Sequence, residues 1–523
     1  MAGFIDVLLR GLALCGQAAA IGGVLFALLV LRPSLRERPE LSPIRGRLLV
    51  LIALGGLAVI VGQLSTLGVQ QVVLAEENDW PIREILATAY FEASVWRILA
   101  CVALIVGALR LRRHPDSRGW WVAMALFTIA LAAGSAAISH ATARLEHGGI
   151  LRIFDLLHQY AASVWVGGLM HLSLAAFGRP REPWPATMLK RFSAMALVSV
   201  AVLVIAGFGL TYYYVDGFDA FTGTAYGMMV GTKMVVLGLI LILGALNFFV
   251  VRRLPDADAV SVLRLRRFVE VELGLGVTVL FAAASLTSLP PAVDVVADRA
   301  TLAEVAHVFT PRLPSFTSSK LSDMPLEDRL APRTDADRQW SEFNHHVAGT
   351  FVFLMGVLAI LSRTGWAPWA RHWPLVFFGL AAFLLVRNDP GSWPLGPQGF
   401  WEGMRYSEVV QHRIFVLLVL GFGTFEWMVR TGRIRSKRAA LVFPILCSVG
   451  GALLLTHSHA SLNLKSEYLI EVTHAPLGVI AMLVGWGRWL ELRLPPGETK
   501  LPGRVWSIGL AMVGVLLLLY RET

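Results

Sequence analysis

Long apolar runs separated by short charged segments dominate this chain. A bilayer span needs roughly 20 consecutive apolar residues, and fourteen stretches of the sequence read as spans. Eight precede a polar region, at 5–31, 44–66, 85–111, 119–142, 151–178, 191–214, 224–251 and 267–289. Six follow it, at 343–362, 373–387, 408–429, 439–457, 469–492 and 504–520. Runs of this length predict an all-α polytopic membrane protein. An eight-helix domain is expected over 1–290 and a six-helix, histidine-rich domain over 343–523. Between them, 291–342 reads as an extracytoplasmic linker marked by Pro311, Pro314, Pro325 and Pro332, too short for an independent enzyme domain.

Charge orients these spans. The chain is 56% hydrophobic and 16% charged, with a net charge of +10. The excess sits in alternate loops: Arg36, Arg38 and Arg45 after the first span, Arg112 and Arg113 after the third, Arg181 and Lys190 after the fifth. It recurs with Arg253 and Arg264 after the seventh and Arg433, Arg435 and Lys437 after the eleventh. The intervening loops carry Glu76, Glu77, Asp79, Asp216 and Asp219. Basic loops stay in the cytoplasm, so both termini are expected outside, and the positive charge is no nucleic-acid footprint. The sequence lacks a GxxxxGK[ST] phosphate loop and an Asp-Lys-Thr-Gly-Thr phosphorylation motif, which argues against a nucleotide-driven pump. Cys15, Cys101 and Cys447 fall within spans and read as packing residues. Asp6 precedes the first basic residue, so no cleavable signal is expected.

The first eight spans look duplicated. Thr88-Ala89-Tyr90, Arg97 and Gly107-Ala108-Leu109 in the third are matched by Thr224-Ala225-Tyr226, Lys233 and Gly244-Ala245-Leu246 in the seventh. Gly22-Gly23 before Arg32-Pro33 matches Gly167-Gly168 before Arg179-Pro180, and Thr128 and Ser135 match Thr278 and Ser285. Four spans per copy give both copies one orientation, a parallel repeat. Intramembrane charges are functional suspects, and Glu272 or Glu270 is the expected partner of Lys233.

His140, His158, His345, His346, His412, His457, His459 and His474 all fall at one membrane face. Eight imidazoles there suggest a metal or haem site. The segment from His158-Gln159-Tyr160 to Val166-Gly167-Gly168, with Ser139-His140-Ala141, Thr224-Ala225-Tyr226-Gly227, Lys233, Asn247, Glu272 and Pro290-Pro291, resembles the CopD family of copper-resistance membrane proteins over about 1–292. The resemblance implies a bacterial inner-membrane protein that moves copper inward or holds it at the periplasmic face, with a small CopC-like copper chaperone as partner.

Imidazole suits copper in either oxidation state. His140 and His158, on consecutive helices, are the expected ligands of this unit, with His147 as a possible third. His158 and His171 are thirteen residues apart, the spacing of a di-haem helix, but no neighbouring helix offers a matching pair. In the six-helix unit His346, His412, His459 and His474 are the expected ligands, with His345 and His457 the weaker members of their pairs. Copper is favoured there, and a b-type haem in an electron-transfer protein is the alternative. An enzymatic activity is neither required nor excluded. Both termini being outside predicts that a phosphatase reporter fused to the C-terminus is active in the periplasm. Activity only of a cytoplasmic reporter at that position would overturn the topology.

Overall fold

A computed structural model describes residues 2–72, 81–139, 144, 146–176, 185–253, 259–324, 334–456 and 464–522. Among them every long element is a helix, and the only β-type pairing is an isolated bridge between Ser392 and Gln398. The first eight are α1 (Ala2–Leu25, continued by a π-helical turn Phe26–Leu31), α2 (Ser42–Val72), α3 (Ala89–Arg113), α4 (Arg118–Ala137), α5 (Gly148–Ala176), α6 (Ala186–Tyr214), α7 (Ala225–Arg252) and α8 (Ala259–Leu286). Six more follow: α9 (Asp335–Thr364), α10 (Val376–Arg387), α11 (Ser407–Arg430), α12 (Val442–Thr456), α13 (Leu464–Arg493) and α14 (Lys500–Leu518). Among the described residues twelve helices are long and apolar enough to cross a membrane. The polytopic all-α reading is therefore what the chain adopts. Ile205, Phe208 and Val198 on α6 are each more than 60% exposed, as side chains against lipid would be.

Local signals set the helix ends. Thr88 caps α3 by accepting from Phe91 N at 3.2 Å. Thr334 and Asp337 form a reciprocal capping box at the start of α9, which stops at Gly365 in the left-handed conformation, φ 77°.

Two compact units result. One comprises Ala2–Phe221 with Met229–Ala297, the other Thr222–Met228 with Asp298–Thr523. In the first unit α1 packs on α2, α4, α5 and α8, while α5 packs on α6, α8, α1 and α4. Exchanging the two halves of the repeat maps these contacts onto one another. At the centre the paired glycines meet: a Cβ on Gly22 would lie 2.6 Å from Gly167 Cα, and one on Gly167 would collide with Ala18 O. Contact between equivalent residues is what a two-fold axis through the crossing requires.

The exchange fails at one helix. α3 packs along both α2 and α4, but among the described residues its counterpart α7 lies close along neither α6 nor α8. α7 is instead tied by a side-chain bridge in which Asn247 Nδ2 donates to Glu272 Oε1.

In the other unit α9 packs along α14, α13 along α12 and α14, and α10 along α11. Trp373, Phe443, Trp506 and Met355 form the core. Arg430 bonds Glu426 at 2.6 Å and places its guanidinium 4.7 Å from the Trp373 ring and 5.2 Å from Trp506. The polar region contributes a short helix, Leu302–Phe309, whose Val308 packs with Tyr468, Leu469 and Val472 of α13.

Two outcomes follow from this packing. Replacing Gly167 by Leu should lower stability by about 1–3 kcal/mol or more, while Gly46→Ala, with nothing within 4 Å, should leave the melting temperature unchanged or raised. Equal melting temperatures for Gly167→Leu and the wild type would remove the crossing from its central place. Separately, Glu304 bonds Lys465 at 2.6 Å and Thr301 N at 2.8 Å; the Lys465 bond first, then Thr301, holds its carboxyl down to about 2 from 4.5. A carboxylate held low stabilises above its ordinary pKa and loses that contribution as pH falls. Hydrogen exchange of Leu302–Phe309 should therefore accelerate between about pH 4.5 and 2, and Glu304→Gln should accelerate it modestly already at neutral pH. The effect is small, because the pair is solvent-accessible.

Candidate functional site

His158 lies on α5, one helical turn after Asp155. Its Nδ1 is 3.0 Å from Leu203 O of α6. The ring sits over Gly207, where a Cβ would approach Cε1 to 3.1 Å, so the missing side chain makes the imidazole's seat. A carbonyl oxygen only accepts, so Nδ1 carries the hydrogen and the lone pair is on Nε2. Metal-binding histidines are commonly oriented this way, with the second nitrogen donating to a carbonyl or carboxylate. Gln159 Nε2 donates to Asp155 at 2.8 Å. Lys233 of α7 lies within electrostatic reach of both His158 and Asp155. Tyr160 OH meets Thr128 Oγ1 at 3.1 Å, tying α5 to α4. Towards the chain connections, Arg144 binds Asp294 at 2.7 Å and stacks its guanidinium 5.5 Å from the Tyr214 ring.

The expected partner of His158, His140, lies outside the described residues. His147, the possible third ligand, adopts φ 56° and packs its ring 5.1 Å from Tyr213. Lys233 does not find its counter-charge where expected. Glu272 receives Asn247, and Glu270 receives Arg267, leaving Asp155 as the carboxylate that Lys233 senses. Asp155 was visible in the sequence three residues before His158, but only the fold brings α7 beside it.

Lys233 and its repeat partner Arg97 have diverged in setting. Arg97 Nη1 donates to Gln63 Oε1 at 2.6 Å and Nη2 to Gln17 Oε1 at 3.2 Å, while Ser135 also donates to Gln17 at 2.6 Å. Counting from the paired glycines, Ala162 stands where Gln17 does in the first copy. The first copy therefore carries a closed polar node, and in the second Lys233 lies within electrostatic reach of a histidine and a carboxylate.

His171 cannot join His158 around a common cofactor. Its Nε2 is 2.8 Å from Ala19 O, in the tight packing of α1 on α5, and its ring lies 6.2 Å from Phe26. The two imidazoles are thus anchored to different helices, α1 and α6.

In the other unit the expected ligands separate. His346 is buried, on a helix whose Gly349 meets α14, and both its nitrogens are engaged. Nε2 is 2.9 Å from Tyr520 O, and Nδ1 lies 2.9 Å from Ser315 O and 3.1 Å from Ser315 N. It fastens the C-terminal segment and the polar region to α9, and in that state has no lone pair to offer. His412 Nδ1 is 2.7 Å from Asp389, whose other oxygen is 3.9 Å from Arg413. His459 and His457 lie outside the described residues. His474 instead pairs with His345, ring centroids 6.0 Å apart, and both flank Tyr520. Adjacent helix positions point about 100° apart, so sequence could show that one of His345 and His346 faces the bundle. It could not show that the tail would consume the inward one. Among the described residues no group of three or more His, Cys, Asp or Glu side chains is arranged to hold a metal.

Residues 186–286, which hold α6, α7 and α8, match the family described as Copper resistance protein D, CopD. A stretch of 207 residues is 30% identical to "Copper transport protein CutJ" of Bacillus subtilis (strain 168), covering 38% of this chain and 36% of that protein. The match thus spans about a third of that relative's length. No solved structure matches.

Proposed function

We propose that this chain, a CopD-family membrane protein by its matched α6–α8 segment, binds copper beside His158 and carries it inward across a bacterial inner membrane. His158 carries the proposal. It is a neutral imidazole fixed by Leu203 O of the matched segment, with its lone pair on Nε2. It stands in the quarter of the repeat where α7 has left the close packing kept by α3. The relative's printed name, a copper transport protein, supports the same cargo.

Neutral nitrogen donors suit copper. Asp155 adds a carboxylate one turn away on α5. Lys233 repels a second cation, so copper and the ammonium compete for that carboxylate. Such competition keeps the site shallow enough to release its cargo, as conduction requires. His140 remains the proposed second ligand of this site. Copper arrives from outside, from a small CopC-like chaperone, and both termini lie on that side. His412 and its Asp389 partner act in positioning α11 rather than in holding copper.

Titration of the detergent-solubilised protein with Cu(I) against a chromophoric chelator tests the assignment. His158→Ala should weaken one copper equivalent by about tenfold or more and slow copper uptake into proteoliposomes, with insertion unchanged. Undiminished affinity, stoichiometry and uptake in that variant would refute it.

A further inference from the structure

Glu272 is a carboxylate near the middle of α8, and among the described residues no cation is bonded to it. It is 5% exposed, and its partner is the amide of Asn247 on α7, itself 8% exposed. Asn247 Nδ2 donates to Glu272 Oε1. Glu272 Oε2 lies 3.9 Å from where a Cβ on Gly244 would stand, one turn earlier on α7. The carboxyl thus lies across the Gly244–Asn247 face of α7. Asn247 Oδ1 is buried and has no donor.

The charged and titratable groups of the surrounding helices do not neutralise Glu272. On α8, Glu270 takes Arg267, and Arg266 stands nearer the start of the helix. On α7, Lys233 lies about four turns from Asn247 and senses Asp155, while Arg252 ends the helix. On α5, His171 is bonded to Ala19 O, and Asp155 and His158 belong to the copper cluster. α1 carries Cys15, with Asp6 and Arg10 paired near its start and Arg32 over Trp121 past its end. None of these acts on Glu272 electrostatically. A full negative charge there would have neither water nor a counter-charge, a costly state in a membrane domain. Hydrogen bonding leads to the same result. An ionised carboxylate only accepts, so it offers nothing to Asn247 Oδ1. Turning the amide over would set Oδ1 against Oε1, acceptor against acceptor. One proton on the carboxyl supplies the donor that the pair lacks in either orientation. The fold does not demand this bridge: counting back from the matched Thr128 and Thr278, Val122 stands where Glu272 does, 59% exposed on α4.

We propose that Glu272 and Asn247 form a proton-binding site, a neutral carboxylic acid paired with an amide, and that Glu272 carries one proton outward for each Cu(I) carried inward. The coupling rests on the copper assignment to His158; the proton site does not. α7 is the link, because it bears both Asn247 and Lys233, whose ammonium competes with copper for Asp155. Copper displaces the ammonium, and a shift of α7 opens the acid–amide pair to water. The O–H bond of Glu272 then breaks, its electron pair stays on the carboxylate, and water takes the proton as hydronium. One positive charge enters the domain as one leaves, so its net charge is unchanged. After copper departs inward, the carboxylate takes a proton back from that side.

Infrared difference spectroscopy of the copper-free, full-length protein tests the site. At neutral pH the wild type should show the carbonyl-stretch band of a protonated carboxylic acid, shifted in deuterium oxide, lost in Glu272→Gln and moved in Asn247→Ala. Glu272→Gln keeps the shape of the neutral acid and should insert and melt like the wild type; should it fail to fold, the Asn247→Ala spectrum still decides the matter. In proteoliposomes under reducing conditions, an acid lumen should speed Cu(I) uptake severalfold in the wild type and leave the Glu272→Gln rate unchanged. Absence of the band, its survival in Glu272→Gln, or an unmoved band in Asn247→Ala overturns the proton site. Gradient-dependent uptake that persists in Glu272→Gln overturns the coupling and leaves the copper assignment standing. A wild type that shows the band but takes up no Cu(I) overturns copper transport and the coupling with it, while the proton site stands.

Discussion

The contact between Gly22 and Gly167 governs the first unit. Lipid tails are as apolar as leucine, so helices in a bilayer associate by close packing and hydrogen bonding rather than by escaping water. A bare Cα on each side lets α1 and α5 approach until the backbone at Ser163 and Ala18 is in contact. The two glycines stand at matched positions of the expected repeat, and α1 and α5 each pack on helices that correspond under it. α3 and α7 are where the matching stops. Arg97 is satisfied by Gln63 and Gln17, which lie on two neighbouring helices and draw α3 inward. Lys233 has an alanine where Gln17 would be, and α7 stands apart. One polar substitution and one helix displacement separate a scaffold half from the half that carries the proposed copper chemistry.

The histidines share a second constraint. A polar group buried in a membrane domain has no water to fall back on, so each imidazole must place its N–H on an acceptor. His158, His345 and His474 use backbone carbonyls through Nδ1, and His171 uses one through Nε2. The choice of nitrogen decides what remains. Where Nδ1 donates, Nε2 keeps a lone pair at the far end of the ring. His346 shows the contrasting case, in which both nitrogens are used to join three chain segments.

Charge is handled in the same way. Arg430 is surrounded by Glu426 and the rings of Trp373 and Trp506, and Arg363 and Arg488 converge on Glu491. Arginine suits these places because its weakly hydrated planar group accepts aromatic faces as partners. The six-helix unit is thus stapled through an aromatic and guanidinium core near one end, while His345, His474 and Tyr520 gather elsewhere in it.

Apolar periodicity and length were sufficient to determine the helices, because a bilayer allows a buried backbone few forms other than a hydrogen-bonded helix. The doubled Gly-Gly motif suggested a repeat, with Arg97 and Lys233 at matched offsets in it. The CopD likeness could be read from His158 to Gly168 and from Lys233 to Glu272 before any coordinates. Partnership could not. Which carboxylate faces Lys233 depends on where α7 lies. Whether His346 keeps an open nitrogen depends on Tyr520, 174 residues downstream, and His412 finds Asp389 through a loop fold with no sequence signature. Local pattern encodes what a segment does with its own backbone and its immediate surroundings. The tautomer and the partner of a side chain are decided by atoms that only tertiary packing brings within hydrogen-bonding distance.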